Sequence, residues 1–168
     1  MVTKVAQAYP DALPMPQHPQ ISTTEPYTKL SSDIYKQVVR WFSKVTRRIP
    51  TATPVAPFNF CYYVPSNGSK VGVNVPDIGF SVEGGKIWSI STTNSMNQVT
   101  KDTACLAFVD GGATSEPAIV IGTFQLEDMF VVFNLENSTF GFSSSLLNIK
   151  SSCSNFNFTQ VAPDGTEF

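Results

Sequence analysis

Three consecutive β-branched aliphatics, Ile119-Val120-Ile121, stop on Gly122, and the chain then writes Phe124, Leu126, Met129 and Phe130, followed by Val131-Val132-Phe133 and Phe140-Gly141-Phe142. A short apolar run closed by a glycine reads as a buried strand, too brief for a core helix. The four apolar residues after it fit one or two turns of helix, and residues 134–139 are polar enough to turn the last two runs back on each other as a hairpin. Strand, glycine, short helix, strand and returning strand in that order leave little room for anything but a β-rich fold.

The rest of the chain agrees. Val71, Val73 and Val75 alternate with smaller or polar residues, Ile78, Phe80 and Val82 alternate again, and Glu83-Gly84-Gly85-Lys86 separates them from Ile87-Trp88-Ser89-Ile90 as a hairpin turn would. Asp110-Gly111-Gly112 reads as a tight turn before Ile119 rather than as a displaced catalytic Asp-x-Gly. One segment has helical spacing. Ser31 or Ser32 is placed to cap it, Ile34, Tyr35, Val38, Val39, Phe42 and Val45 recur at three- and four-residue intervals, Lys44, Arg47 and Arg48 complement its C-terminal end, and Pro50 stops it. Pro50, Pro54, Pro57 and Pro65 then punctuate an irregular stretch. Glu127 and Asp128 read as solvated charges on the short helix. No internal repeat, heptad or low-complexity tract is present.

Composition excludes several classes of function. Charged residues make up 14% and aromatic ones 12%, with thirteen Phe, a balance suited to a β-rich secreted domain. A net charge of −2 gives no electrostatic footprint for nucleic acid, so no nucleic-acid partner is expected. No apolar run approaches the roughly 18 residues of a membrane span, and no membrane partner is expected. Residues 1–20 hold four prolines and neither a charged n-region nor an apolar h-region, so the segment is expected to be irregular and reads as no signal peptide. His18 is the sole histidine, which leaves a Ser-His triad or a Cys/His metal site without its parts; no cofactor and no metal are expected.

The stretch from Ile119 to Phe142 resembles the C-terminal signature of the pepsin-like aspartic protease family. Further segments narrow the likeness: Ser22-Thr23-Thr24-Glu25-Pro26-Tyr27, Ala56-Pro57-Phe58, Asn94-Ser95-Met96, Cys105-Leu106, Val109-Asp110-Gly111-Gly112, Gln125-Leu126-Glu127-Asp128, Gly141-Phe142-Ser143-Ser144-Ser145-Leu146-Leu147 and Asn155-Phe156-Asn157-Phe158-Thr159. They resemble one plant branch of that fold, the group of extracellular dermal glycoprotein, xyloglucan-endoglucanase inhibitor, xylanase inhibitor and basic 7S globulin. The resemblance implies an all-β, closed-barrel-like C-terminal lobe with one substantial and one short helix over residues 21–160, an unassigned segment at 1–20 and a tail at 161–168. It also implies a full-length parent in the extracellular space or cell wall, with an N-terminal lobe as the missing partner of this one.

Against that family the chain departs at one telling place. Where pepsin-like proteases carry a hydrophobic residue, Asp, Ser or Thr, Gly and Thr, this chain has Ile21-Ser22-Thr23-Thr24-Glu25. Proteolysis there needs two carboxylates sharing a proton, one activating water while the other polarises the peptide carbonyl. Ser22 has no acid to offer, and Thr24 replaces the glycine that allows close approach of the active-site loop. Taken alone, these residues read as an ordinary Thr-rich strand. Within the family they read as a degenerate site, Ser22, Thr23 and Thr24, and as a pseudoenzyme.

Three cysteines make an odd count. The resemblance assigns Cys61 and Cys105 to an intralobe disulfide and Cys153 to the bond that reaches the N-terminal lobe; three reduced core cysteines remain the alternative. In the endoglucanase-inhibitor branch two loops push basic residues into a glycosidase cleft, and the matching positions here are Lys70 and Lys150. Both are lysine where the family favours arginine, and the histidine that xylanase inhibitors carry near residues 147–149 is absent. Three glycosylation sequons occur, at Asn67, Asn137 and Asn157. The function expected from the resemblance is non-catalytic inhibition of a microbial glycoside hydrolase, endoglucanase or xylanase, in plant defence. A storage or ligand-binding 7S-type globulin is the alternative, and an aspartic-type endopeptidase a third.

Overall fold

The structure is a computed structural model that describes residues 19–64, 75–81 and 87–155, together with the backbone of Leu13–Pro14. His18, Asn67, Lys70, Val71, Val73, Val82, the turn at residues 83–86 and Asn157 lie outside the described residues. The chain forms two compact units, residues 1–126 and 127–168. Among the described residues the chain is mostly β, with one substantial helix, as the sequence leads one to expect.

Among the described residues the first unit is built on three small sheets. One is β1 (Leu13–Pro14), β6 (Ile78–Ser81) and β7 (Ile87–Ile90). The antiparallel pairing of β6 with β7 sets Ile78 opposite Ile90 and Phe80 opposite Trp88, the hairpin that the alternating apolar residues predict. Two residues of the unassigned segment 1–20 pair with β6 as a parallel strand, Leu13 opposite Phe80. A second sheet runs β4 (Thr51–Ala52), β5 (Cys61–Tyr63), β9 (Thr103–Leu106) and β8 (Met96–Thr100), in that order. The third has the order β10 (Phe108–Asp110), β3 (Thr28–Leu30), β11 (Ile119–Ile121), β2 (Gln20–Ile21), and β11 pairs antiparallel with β3 but parallel with β2.

The helical spacing is confirmed as α1 (Ser32–Val45), which lies against β10 and β3. Its buried residues are Tyr35, Val38 and Phe42, three of the positions singled out by their periodicity. Removing Val38 and Phe42 from water contributes about 1.5–3 kcal/mol each. Val45, the last residue of the helix, is 45% exposed, and Thr46 turns inward in its place. The Thr46 hydroxyl donates to the Phe42 carbonyl and shares a hydrogen bond with the Tyr62 hydroxyl, so the helix end is fixed to β5. Around that joint Phe42, Phe60 and Tyr62 pack with ring centroids 5.0 to 6.4 Å apart. Burial pushes the Tyr62 phenol up from its ordinary pKa, against the lowering influence of Thr46.

Gly122 follows β11 at a place where no other residue fits. A β-carbon there would lie 2.4 Å from the Tyr27 carbonyl carbon and 2.8 Å from the Thr28 nitrogen, both backbone atoms. The glycine that ends the apolar run is thus required by close approach of two backbones. The short helix expected after it is a single 3-10 turn, Thr123–Leu126. It does not reach Met129 and Phe130, because Asp128 adopts a left-handed backbone conformation, φ 52°, that a right-handed helix cannot include. A one-turn helix, α2 (Thr92–Ser95), is too short to leave a periodic signal in the sequence.

The second unit opens on the expected hairpin, β12 (Val131–Asn134) with β13 (Thr139–Phe142), in a register that puts Phe133 opposite Phe140 and Asn134 opposite Thr139. Two further 3-10 turns follow, Leu146–Ile149 and Cys153–Asn155.

Candidate functional site

The loop that carries Ser22, Thr23 and Thr24 starts where β2 ends. The Ser22 N–H donates to the Ile121 carbonyl (2.9 Å), continuing the β2–β11 ladder by one bond. The side chain then turns back on its own loop. Ser22 Oγ accepts from the N–H groups of Glu25 (3.1 Å) and Thr24 (3.3 Å) and lies 3.1 Å from Thr24 Oγ1. This is a serine-centred turn of the kind that short hydroxyl side chains stabilise. The only carboxylate in the loop, Glu25, is engaged elsewhere, with Oε1 2.7 Å from Lys29 Nζ. Thr23 and Thr24 are exposed.

Behind the loop lies a buried network of polar groups. Gln125 is completely buried, and its Oε1 accepts from both the N–H and the hydroxyl of Thr28 (2.9 and 2.8 Å). Its Nε2 donates to the carbonyls of Ala107 (2.8 Å) and Asn94 (3.1 Å). The Thr28 hydroxyl in turn accepts from the Gly122 N–H (3.0 Å). One amide thus ties together β3, the end of β11, α2 and the segment before β10. Sequence reasoning matches Gln125 to a family segment and gives it no role; its partners are too distant in the chain for spacing to reveal them. The Glu25 and Pro26 carbonyls accept from the N–H groups of Thr123 and Phe124, so the 3-10 turn also holds the outer end of the loop.

The Asp110-Gly111-Gly112 segment forms the tight turn expected of it. Asp110 Oδ1 accepts from the Ser32 hydroxyl (2.7 Å) and the Gly112 N–H (2.9 Å), and Gly112 has φ 98°. These two donors, Ser32 first, hold the carboxyl below its ordinary pKa, an effect of a structural turn rather than of a reactive acid. In this arrangement the Ser22 hydroxyl serves to hold its own turn. Ser22 is bonded only to hydroxyl and main-chain groups, and among the described residues no cluster of three or more His, Cys, Asp or Glu is suited to a metal ion. No helix among the described residues is long and apolar enough to cross a membrane.

Cys61 and Cys105 stand opposite each other in the β5–β9 pair and are joined by a disulfide. They are buried with Phe58 and Ala107, with Tyr27 and Phe124 packed alongside. In the second unit, Lys150 is exposed and ends the 3-10 turn Leu146–Ile149 in a left-handed conformation, φ 57°. Cys153 is exposed with a free thiol, and its N–H donates to Asp128 Oδ1 (2.8 Å). Asp128 also accepts from the Leu146 N–H through its carbonyl (2.7 Å), so it organises these loops and is more than the solvated charge its position suggests. Asn137 lies exposed in the β12–β13 turn. Lys70, the other lysine expected of such a site, lies outside the described residues.

Known proteins share this arrangement. Residues 13–144 match the family described as "Xylanase inhibitor C-terminal". A curated relative, gamma conglutin 1 of Prunus dulcis, is 45% identical over 143 residues, covering 82% of this chain and 33% of its own length. Another, described as probable aspartic proteinase GIP2 of Nicotiana benthamiana, is 40% identical over 145 residues, covering 85% and 33% respectively. Among solved structures, conglutin gamma, a basic 7S globulin from lupine seeds, superposes with a TM-score of 0.69 at 36% identity, over 80% of this chain and 34% of that one. The chain spans about a third of the length of these relatives. With a match that runs from β1 through β13, the chain belongs to the xylanase inhibitor C-terminal family and has the fold of a pepsin-like C-terminal lobe.

Proposed function

We propose that this chain is the C-terminal lobe of a non-catalytic, extracellular plant protein that inhibits microbial cell-wall glycoside hydrolases, an endoglucanase or a xylanase, and that it works together with an N-terminal lobe. The observation that carries the reading is the family match over residues 13–144. Ser22 supports its non-catalytic half. A hydroxyl that is already turned back onto the N–H groups of Thr24 and Glu25 offers water no base and shares no proton with a second acid.

Lys150 supports the other half. Glycosidases flank the scissile bond with paired carboxylates, and a cation delivered on a loop makes charge-assisted hydrogen bonds to them while excluding the sugar. The exposed side chain at the end of a tight 3-10 turn is a suitable carrier. Lysine acts there as a point charge without the bidentate fork of arginine, which favours a weaker inhibitor than an arginine-bearing one. Lys70 is proposed as the second cation on sequence grounds.

The test is inhibition of purified endoglucanases and xylanases by the full-length protein carrying this lobe. Lys150→Ala is expected to weaken inhibition about tenfold, the equivalent of about 1.4 kcal/mol. A second reading, a seed globulin that stores or binds small ligands, is favoured by the relatedness to conglutins. Absence of inhibition across several glycosidase families would select it. Pepstatin-sensitive cleavage at acid pH would instead restore the peptidase reading.

A further inference from the structure

Of the three sequons, Asn137-Ser138-Thr139 is the one whose surroundings the structure describes, and they suit a modification. The segment is the turn between β12 and β13. The main-chain N–H of Asn137 donates to Asn134 Oδ1 (3.0 Å), which fixes the turn through the backbone of Asn137 and leaves its side-chain amide out of the network. Ser138 has φ 50°, a left-handed residue that carries the chain around the tip, and Thr139 begins β13 opposite Asn134. Asn137, Ser138 and Thr139 are all exposed. A large hydrophilic group on Asn137 therefore displaces no packed side chain and breaks no hydrogen bond of the turn.

The tip also has a use for such a group. Leu135, two residues away, is 87% exposed, and Phe133, on the strand leading into the turn, is 59% exposed. Apolar side chains held open at a hairpin end favour self-association, and a glycan is bulky, solubilising and confined to the surface.

We propose that Asn137 is an N-glycosylation site and that its glycan covers the apolar tip of this hairpin. The proposal rests on the extracellular reading above, since the reaction belongs to the export pathway. In the transfer, the Asn137 amide nitrogen forms a bond to C1 of an oligosaccharide carried on a lipid diphosphate. The bond from C1 to the diphosphate oxygen breaks, the lipid diphosphate leaves, and the amide gives up one proton. The Thr139 hydroxyl completes the recognised tripeptide.

The experiment expresses the full chain behind a cleavable export leader in secreting insect cells and reads the leader-cleaved pool, whether retained or released. Wild type is expected to gain mobility on treatment with a peptide N-glycosidase, with Asn137 converted to Asp in the recovered peptide. Asn137→Gln and Thr139→Val are each expected to lose one glycan step, while Asn67→Gln with Asn157→Gln keeps the step due to Asn137. Thr139→Val preserves a β-branched strand residue, so its result does not depend on a disturbed hairpin. Unmodified Asn137 in the leader-cleaved pool overturns the proposal. Glycosidase inhibition is scored separately, so its absence counts against the inhibitor reading alone.

Discussion

Gln125 closes the first unit completely buried, with each polar atom of its amide bonded twice; Leu135, in the second, stands 87% exposed on a two-stranded hairpin. The contrast extends beyond these two residues. In residues 1–126 the sheets, α1 and the disulfide enclose Leu30, Val38, Phe42, Tyr62, Phe80, Phe108, Ile119 and Ile121. In residues 127–168 the two faces of the hairpin both carry apolar side chains into solvent, Phe133 and Phe140 on one and Val132 on the other. A two-stranded hairpin is at best marginally stable alone in water. The first unit is thus determined by its own long-range contacts, whereas the apolar strands of the second are written for burial that the described residues do not supply.

Breaking the first unit should therefore be costly, and the largest effect is expected at the disulfide. Cys61 and Cys105 are 44 residues apart, a loop whose closure stabilises by about 4 kcal/mol on the chain-entropy estimate. Replacing both by Ala should lower the urea midpoint accordingly, and an unchanged midpoint would show that this unit does not depend on the bridge. Gly122→Ala comes next. Its β-carbon meets main-chain atoms of Tyr27 and Thr28 that cannot swing aside, so a loss of about 3 kcal/mol is expected from forced backbone movement. If Gly122→Ala unfolds at the same denaturant concentration as wild type, the close approach of β11 to Tyr27 is not a constraint on the fold.

A smaller effect is expected from pH. Asp110 is held below its ordinary pKa by Ser32 and then by the Gly112 N–H. A depressed carboxyl contributes stability above its unfolded value, and that contribution fades as pH falls through the folded one. Ser32→Ala removes the leading donor. The variant should be less stable than wild type at neutral pH, and the two should converge under acid; a gap that stays constant with pH would remove Asp110 from the account.

How much of this was legible in the residues follows from the range of each interaction. Helix α1 could be read because Tyr35, Val38 and Phe42 state one face locally, and Val45 misleads only because Thr46, next along, takes the inward place. The Asp110 turn could be read from Asp-Gly-Gly, but its partner Ser32 is 78 residues away and no spacing rule reaches it. Gly122 announces a constraint without naming Tyr27 as its cause. At the candidate site, the hydroxyl residue Ser22 is visible in the sequence, while the turn it makes with Thr24 and Glu25 is not, since hydroxyl side chains choose among several local partners. Gln125 was least legible, because a buried amide has the same letters as an exposed one.

At the hairpin tip of the second unit a substitution should cost least. Leu135→Ser removes an apolar side chain that is almost wholly in solvent, so the folded state loses little by it, within about 0.5 kcal/mol. The unglycosylated chain should nonetheless change its behaviour in solution, because the exposed tip is where apolar contact between molecules would begin. Leu135→Ser is expected to leave the denaturation midpoint in place while lowering binding of a hydrophobic dye and raising the concentration at which light scattering detects association. A large drop in stability would mean that Leu135 is buried in solution and that the second unit packs as tightly as the first, which would erase the distinction between them.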